Sequence, residues 1–142
     1  MSKGNTFEND LLKLIFNATT IANIAINATS SPLTVLWVSL HTADPGEAGA
    51  QNTSEATYGG YARVSVARTT AGWTVTNNSV SPVATISFPA ATSGTNTITH
   101  AAVGTASSGA GKILYKGTVT PNLSISAGST PRLTTLSAAT ED

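Results

Sequence analysis

The chain has 142 residues, no cysteine, and seven basic side chains balanced by seven acidic ones. These figures exclude disulfides, thiolate metal sites and cysteine nucleophiles. They also leave no basic footprint of the kind that displaces counterions from nucleic acid. Only 10% of the residues are charged, against roughly 25% in ordinary soluble domains, and polarity falls instead to 24 threonines and 16 serines. From Thr69 to Gly111 there are 43 consecutive residues without Asp, Glu, Lys or Arg. Such a stretch is β-prone and poor in proton-transfer groups, and a weakly charged surface favours association.

The first element is a helix over Asn5–Asn17. Phe7, Leu11, Leu14 and Ile15 recur at i, i+4, i+7 and i+8, with Leu12 and Phe16 widening the stripe. Asn5 is placed to cap it, with Glu8 three residues on as the capping-box partner. At about three turns the helix needs a packing partner, either its own domain or, as an arm, a neighbouring subunit. Lys3, Glu8 and Asp10 do not fit a signal peptide, and no apolar run approaches the ~18 residues of a membrane span.

From Thr34 the period becomes two. Leu36, Val38 and Leu40 point one way and Val35, Trp37 and Ser39 the other, followed by a second alternation at Ala62, Val64 and Val66. Further strand-like runs lie at Trp73–Thr76, Val83–Phe88, Thr97–Gly104, Lys112–Val119, Asn122–Ser126 and Arg132–Leu136, separated by Gly, Asn and Ser turns. The pattern predicts an all-β chain, a β-sandwich of about eight short antiparallel strands, jelly-roll-like or Ig-like in order, with one short N-terminal helix. It reads as a single domain over 1–142, with helix and arm over 1–33 and the sandwich over 34–142.

Thr42 to Gly59 is a long connection without period, holding Asp44, Glu47 and Glu55; loops of this length are usually functional. His41, Asp44 and Glu47 invite a metal reading, but Asp44-Pro45-Gly46 is a turn sequence. The run from Ala106 to Ile113 looks like a phosphate loop, yet it has Ala106 and Ile113 where glycine and Ser/Thr are needed, and it leads into a strand. His41 and His100 are the only histidines and no Gly-x-Ser-x-Gly elbow is present, so the sequence predicts no enzyme, metal or cofactor. Trp37, Trp73, Tyr58 and Tyr61 are core or edge residues before they are a sugar platform. Trp37 stands opposite the Leu36, Val38 and Leu40 face, so either both faces of its strand are buried or the indole is offered to a partner.

The stretch Leu36-x-Val38-x-Leu40-His41-Thr42-Ala43-Asp44-Pro45-Gly46-Glu47-Ala48-Gly49 resembles a motif of tailed-bacteriophage structural proteins. Tyr58-x-Gly60-Tyr61-Ala62-Arg63-Val64-x-Val66-Ala67-Arg68, Gly72-Trp73-Thr74-Val75, Ile98-Thr99-His100 and Gly104 to Lys112 extend the likeness over nearly the whole chain, to Glu141-Asp142. Members of that family are often labelled tail-fibre proteins, and related small proteins resemble the capsid cement, or decoration, proteins of phage heads. The resemblance implies a β-sandwich without enzyme activity that self-associates on a virion. The expected function is capsid cement: a protein made in the host cytoplasm and carried on the capsid surface, bridging copies of the major capsid protein as a dimer or trimer. The alternative is a tail-fibre or tail-tip component binding a host surface glycan. Neither nucleic acid nor membrane is an expected partner. Candidate contact residues are Phe7, Leu11, Leu14 and Ile15 on the helix, Trp37 and Tyr61 among the aromatics, and Asp44 and Glu47 in the long loop.

Overall fold

Helix α1 spans Asn5–Asn17, the length the apolar period predicts, but a different face of it is buried. The computed structural model describes residues 3–21, 24–25 and 32–140; parts of the predicted arm (22–23 and 26–31) and the terminal Glu141-Asp142 lie outside the described residues. In α1 the buried positions are Glu8, Leu12 and Phe16, one stripe at i, i+4 and i+8. Leu11, Leu14 and Ile15 are only half-buried and Phe7 is exposed. The expected stripe of Phe7, Leu11, Leu14 and Ile15 is corrected by Phe16, whose ring meets Trp73 edge-on with centroids 4.9 Å apart. Full burial of Leu12 and Phe16 contributes about 1.5–3 kcal/mol each.

Both helix ends are closed from the backbone or from afar. Gly4, not Asn5, is the N-cap, and no side chain caps the end. Its carbonyl accepts the Phe7 and Glu8 amides at 2.8 and 3.1 Å. The helix therefore begins one residue too early for the predicted capping box, with Asn5 already inside the first turn. At the other end Ala18 takes the left-handed conformation and the last turn has no basic residue. Arg68 supplies the charge instead, donating to the carbonyls of Ile15 at 2.5 Å and Leu14 at 2.6 Å, two of the acceptors that a helix C-terminus leaves open.

Nine strands follow among the described residues: β1 (Val35–His41), β2 (Val64–Ala67), β3 (Trp73–Thr76), β4 (Ser79–Pro82), β5 (Ile86–Ser87), β6 (Asn96–Gly104), β7 (Ile113–Ile125), β8 (Arg132–Leu133) and β9 (Ala139–Thr140). Strands β1 and β6, β3 and β4, β4 and β9, β5 and β8, and β6 and β7 pair antiparallel, and the chain is of the all-β sandwich class with one short helix, as the alternation predicts. The described residues fall into two compact units. One draws on Met1–Val35, Val66–Thr85 and Thr134–Asp142, the other on Leu36–Ser65 and Ile86–Leu133.

The first unit holds α1 and a sheet ordered β3-β4-β9. Its β3–β4 hairpin turns at Asn77-Asn78, as expected, with Asn77 at φ 54°, a conformation asparagine tolerates better than most residues. Strands β4 and β9 escaped the sequence reading because they are short and mostly Ser, Thr and Ala, with only Val80 and Pro82 of β4 buried.

The second unit contains the order β1-β6-β7, with β1 from Leu36 onward, and the pair β5-β8; in the sheet order β2 neighbours β1 on its other edge, with Val64 and Ser65 belonging to this unit and Val66 and Ala67 to the first. Trp37 to His41 pair with Gly104 to His100 in unbroken register. Leu36, Val38 and Leu40 are buried, and so are Ser39 and His41 on the opposite face, with Trp37 half-buried. Both faces of β1 are therefore covered. The two predicted runs Lys112–Val119 and Asn122–Ser126 merge into the single strand β7, while Val83–Phe88 and Arg132–Leu136 contract to β5 and β8. The sequence break inside β7 survives in its pairing: Leu123 faces Ile98 and Thr118 faces His100, so residues 119–122 stand opposite Thr99 alone. Pro121 lies in that bulge of an edge strand, where no ladder donor is required.

Candidate functional site

The polar face of β1 is the starting point for the long loop. Ser39 Oγ lies 2.9 Å from His41 Nε2, and His41 Nδ1 lies 2.8 Å from the Thr53 carbonyl. A carbonyl only accepts, so Nδ1 carries the proton and Nε2 accepts the Ser39 hydroxyl. That spacing matches a nucleophile and its base, but neither side chain is exposed at all, and a backbone carbonyl stands where a carboxylate would orient the ring. Burial pushes the His41 pKa below the usual imidazole value and keeps the ring neutral. The pair works as a clasp, reinforced by the Ala56 amide on the Leu40 carbonyl and the Thr42 amide on that of Ser54.

A part-buried ion pair fixes the same loop further along. Arg63 Nε and Nη2 donate to Glu55 Oε1 and Oε2 at 2.6 and 2.8 Å, a fork on a carboxylate. The remaining donors reach the carbonyls of Ala106 at 2.8 Å and Gly109 at 2.7 Å, and the Arg63 side chain is 1% exposed. The Tyr61 hydroxyl donates to Glu55 at 2.9 Å and accepts the Leu40 amide at 3.1 Å; burial raises its pKa far above the usual phenol value. Its ring stacks on Phe88 and meets Tyr58 edge-on. Gln51, fully buried, donates to the Trp37 carbonyl at 3.2 Å and accepts the Ala106 amide at 2.9 Å. Gly104 and Gly111 make room for it, because a Cβ on either would overlap the Gln51 amide.

Residues 42–59 and 105–111 are thus locked together at one end of the sheet. The phosphate-loop-like stretch presents carbonyls to Arg63, the opposite polarity from the amide donors that phosphate requires.

Of the residues expected to form contacts, two, Asp44 and Glu47, come together with a partner the sequence reading did not single out. Lys116 Nζ sits 2.9 Å from Asp44 Oδ1 and 3.1 Å from Glu47 Oε1 at the surface. Asp44 also accepts the Gly46 amide at 2.8 Å, closing the predicted turn with Gly46 at φ 76°. That amide, then Lys116, lowers the Asp44 pKa, and Asp44 followed by Glu47 raises that of Lys116. His41 does not join them, since its two nitrogens face Ser39 and Thr53.

The Tyr61 ring and hydroxyl are both engaged within the chain, and Trp37 is half-buried on β1. Phe7, Leu11, Leu14 and Ile15 belong to the helix of the other unit. The bracing residues that sequence reasoning missed are Gln51, Glu55, Arg63 and Ser39. The available signal was an acid and an arginine eight residues apart, flanking two tyrosines in a chain otherwise poor in charge.

These buried and part-buried polar groups hold the loops in place. The family described as Podophage GP4 fiber I protein gp80 matches residues 2–140, and the chain belongs to that family of phage structural proteins. No curated protein matches it. No helix among the described residues is long and apolar enough to cross a membrane.

Proposed function

We propose that the chain is a fibre component of a podophage virion, with an adhesive rather than a catalytic role. The observation that carries this reading is the match of residues 2–140 to a fibre family. It favours the fibre over capsid cement, the first expectation from sequence. The geometry supports adhesion: Arg63, Gln51 and His41 brace the loops before any ligand arrives, which lowers the ordering cost of binding a partner. The Ser39–His41 pair, whose spacing matches a nucleophile and its base, is engaged in that bracing. The partner is a glycan of the host surface.

Self-association belongs to the same proposal. The exposed large apolar side chains among the described residues are Phe7, Ile24, Leu33, Val83 and Leu136, and all five belong to the first unit. Exposed apolar side chains of this size suit contacts between copies.

Gold-labelled antibody against the chain, imaged on intact virions, tests the assignment. Label on the tail is the expected result. Label spread over the head would overturn it and return the chain to capsid decoration, with the major capsid protein as partner.

A further inference from the structure

The three arginines of the chain have different fates. Arg63 is bound to Glu55 and two carbonyls, and Arg68 closes the helix. Arg132 is exposed, and its guanidinium makes no hydrogen bond or ion pair among the described residues. It stands on the wall of an open groove between residues 122–125 and 129–132.

The two walls of this groove follow from strand alternation. On β7, Leu123 and Ile125 turn inward, leaving Asn122 and Ser124 exposed; beyond the turn, Pro131 and Leu133 are buried, leaving Thr130 and Arg132 exposed. None of these four exposed side chains has a hydrogen-bond partner among the described residues. Around them the backbone is fixed. The Ser126 amide donates to Ser129 Oγ, Gly128 at φ 88° donates to the Ala91 carbonyl, and the Ala91 and Phe88 amides donate to the carbonyls of Ser129 and Pro131. Uncommitted donors and acceptors on a held backbone are the reverse of the braced loop end, where the polar side chains are already paired.

We propose that this groove is the glycan subsite of the fibre and that it takes an acidic sugar bearing a carboxylate, such as a uronic acid. The inference rests on the fibre reading above. One guanidinium, with no second cation and no carboxylate in the walls, matches a monoanion held through a planar fork. Asn122, Ser124 and Thr130 supply donors and acceptors for ring hydroxyls.

The test is an NMR titration of the full chain with trigalacturonate, with the neutral galactose trimer as comparison. The expected result is shifts at the Ser124 and Thr130 amides with the acid and none with the neutral sugar. Arg132→Gln weakens binding at least about tenfold, Arg132→Lys recovers only part of it, and Lys112→Gln, which removes an exposed charge elsewhere, leaves it unchanged. Absence of binding, equal binding of both sugars, or equal losses in the Arg132 and Lys112 variants would overturn the proposal. Gold label on the tail with an indifferent Arg132→Gln sinks the groove alone. Label on the head with an Arg132-dependent titration keeps the saccharide site and sinks the fibre.

Discussion

In the first unit helix α1 is held by Phe16 lying edge-on against Trp73, with Leu12 buried beside it. In the second, the long loop is held by Arg63, whose donors reach the Glu55 carboxylate and two carbonyls. Apolar packing is non-directional and accepts another side chain of similar volume. A forked, fully bonded arginine tolerates substitution less, because each lost donor leaves a partly buried or exposed acceptor without its partner. The first arrangement fixes a surface, and the second fixes the backbone course of two loops.

The contrast is broken most directly at Arg63. Arg63→Ala leaves the Glu55 carboxylate and the Ala106 and Gly109 carbonyls unpaired, and should cost about 3–5 kcal/mol in urea unfolding, a large part of the ~5–15 kcal/mol typical of a domain. Arg63→Lys keeps the charge but not the fork, so more than half of that loss should remain. A loss below about 1 kcal/mol for the alanine variant would mean that the loops hold without the ion pair.

Phe16→Leu makes the matching test of the first unit. It preserves most of the apolar volume and removes the edge-on ring contact, for an expected cost of about 1–2 kcal/mol. If Phe16→Leu proves more damaging than Arg63→Lys, the contrast between tolerant packing and intolerant bonding fails.

The same contrast explains how much of the molecule was legible. The helix span, the alternation in β1 and the Asn77 and Asp44 turns follow from local rules that act within a few residues, and they were readable. Which helix face is buried depends on Trp73, far along the chain, so the stripe of Phe7, Leu11, Leu14 and Ile15 misled. Arg68 capping a helix 53 residues away left no local trace. The role of Arg63 needs Glu55, Ala106 and Gly109 at once, and only the fold brings those together. The contact candidates were therefore chosen by residue type, which finds exposed charges such as Asp44 and Glu47 but cannot tell an engaged Tyr61 from a free one.

The Ser39–His41 clasp predicts an acid weakness located in the second unit. The folded pKa of His41 is depressed, so above the ordinary imidazole value near 6.5 both folded and unfolded states are neutral and stability is flat. As pH falls below that value the unfolded chain takes up a proton that the folded chain refuses. Stability then drops by up to about 1.4 kcal/mol per pH unit until the folded pKa is passed. Urea midpoints measured from pH 7.5 down to about 5 should follow this course, and His41→Gln should remove its share of the slope. An unchanged slope in the variant would mean that His41 already accepts a proton when folded.

Lys116→Ala sits at the small end of the scale. Lys116, Asp44 and Glu47 meet at the surface, where water and salt screen the attraction, so the urea midpoint at physiological salt should match the wild type. The informative reading is the titration of Asp44 itself, followed by its carboxyl NMR signal. The Gly46 amide is the larger cause of its lowered pKa and Lys116 the smaller, so in Lys116→Ala the value should rise but stay below the usual carboxylate range. A return to the full unperturbed value would show that the lysine, not the Asp44–Gly46 bond, sets the shape of this turn. The exposed corner of the loop would then be held by side-chain charge rather than by its own backbone, unlike the buried stretch that Arg63 braces.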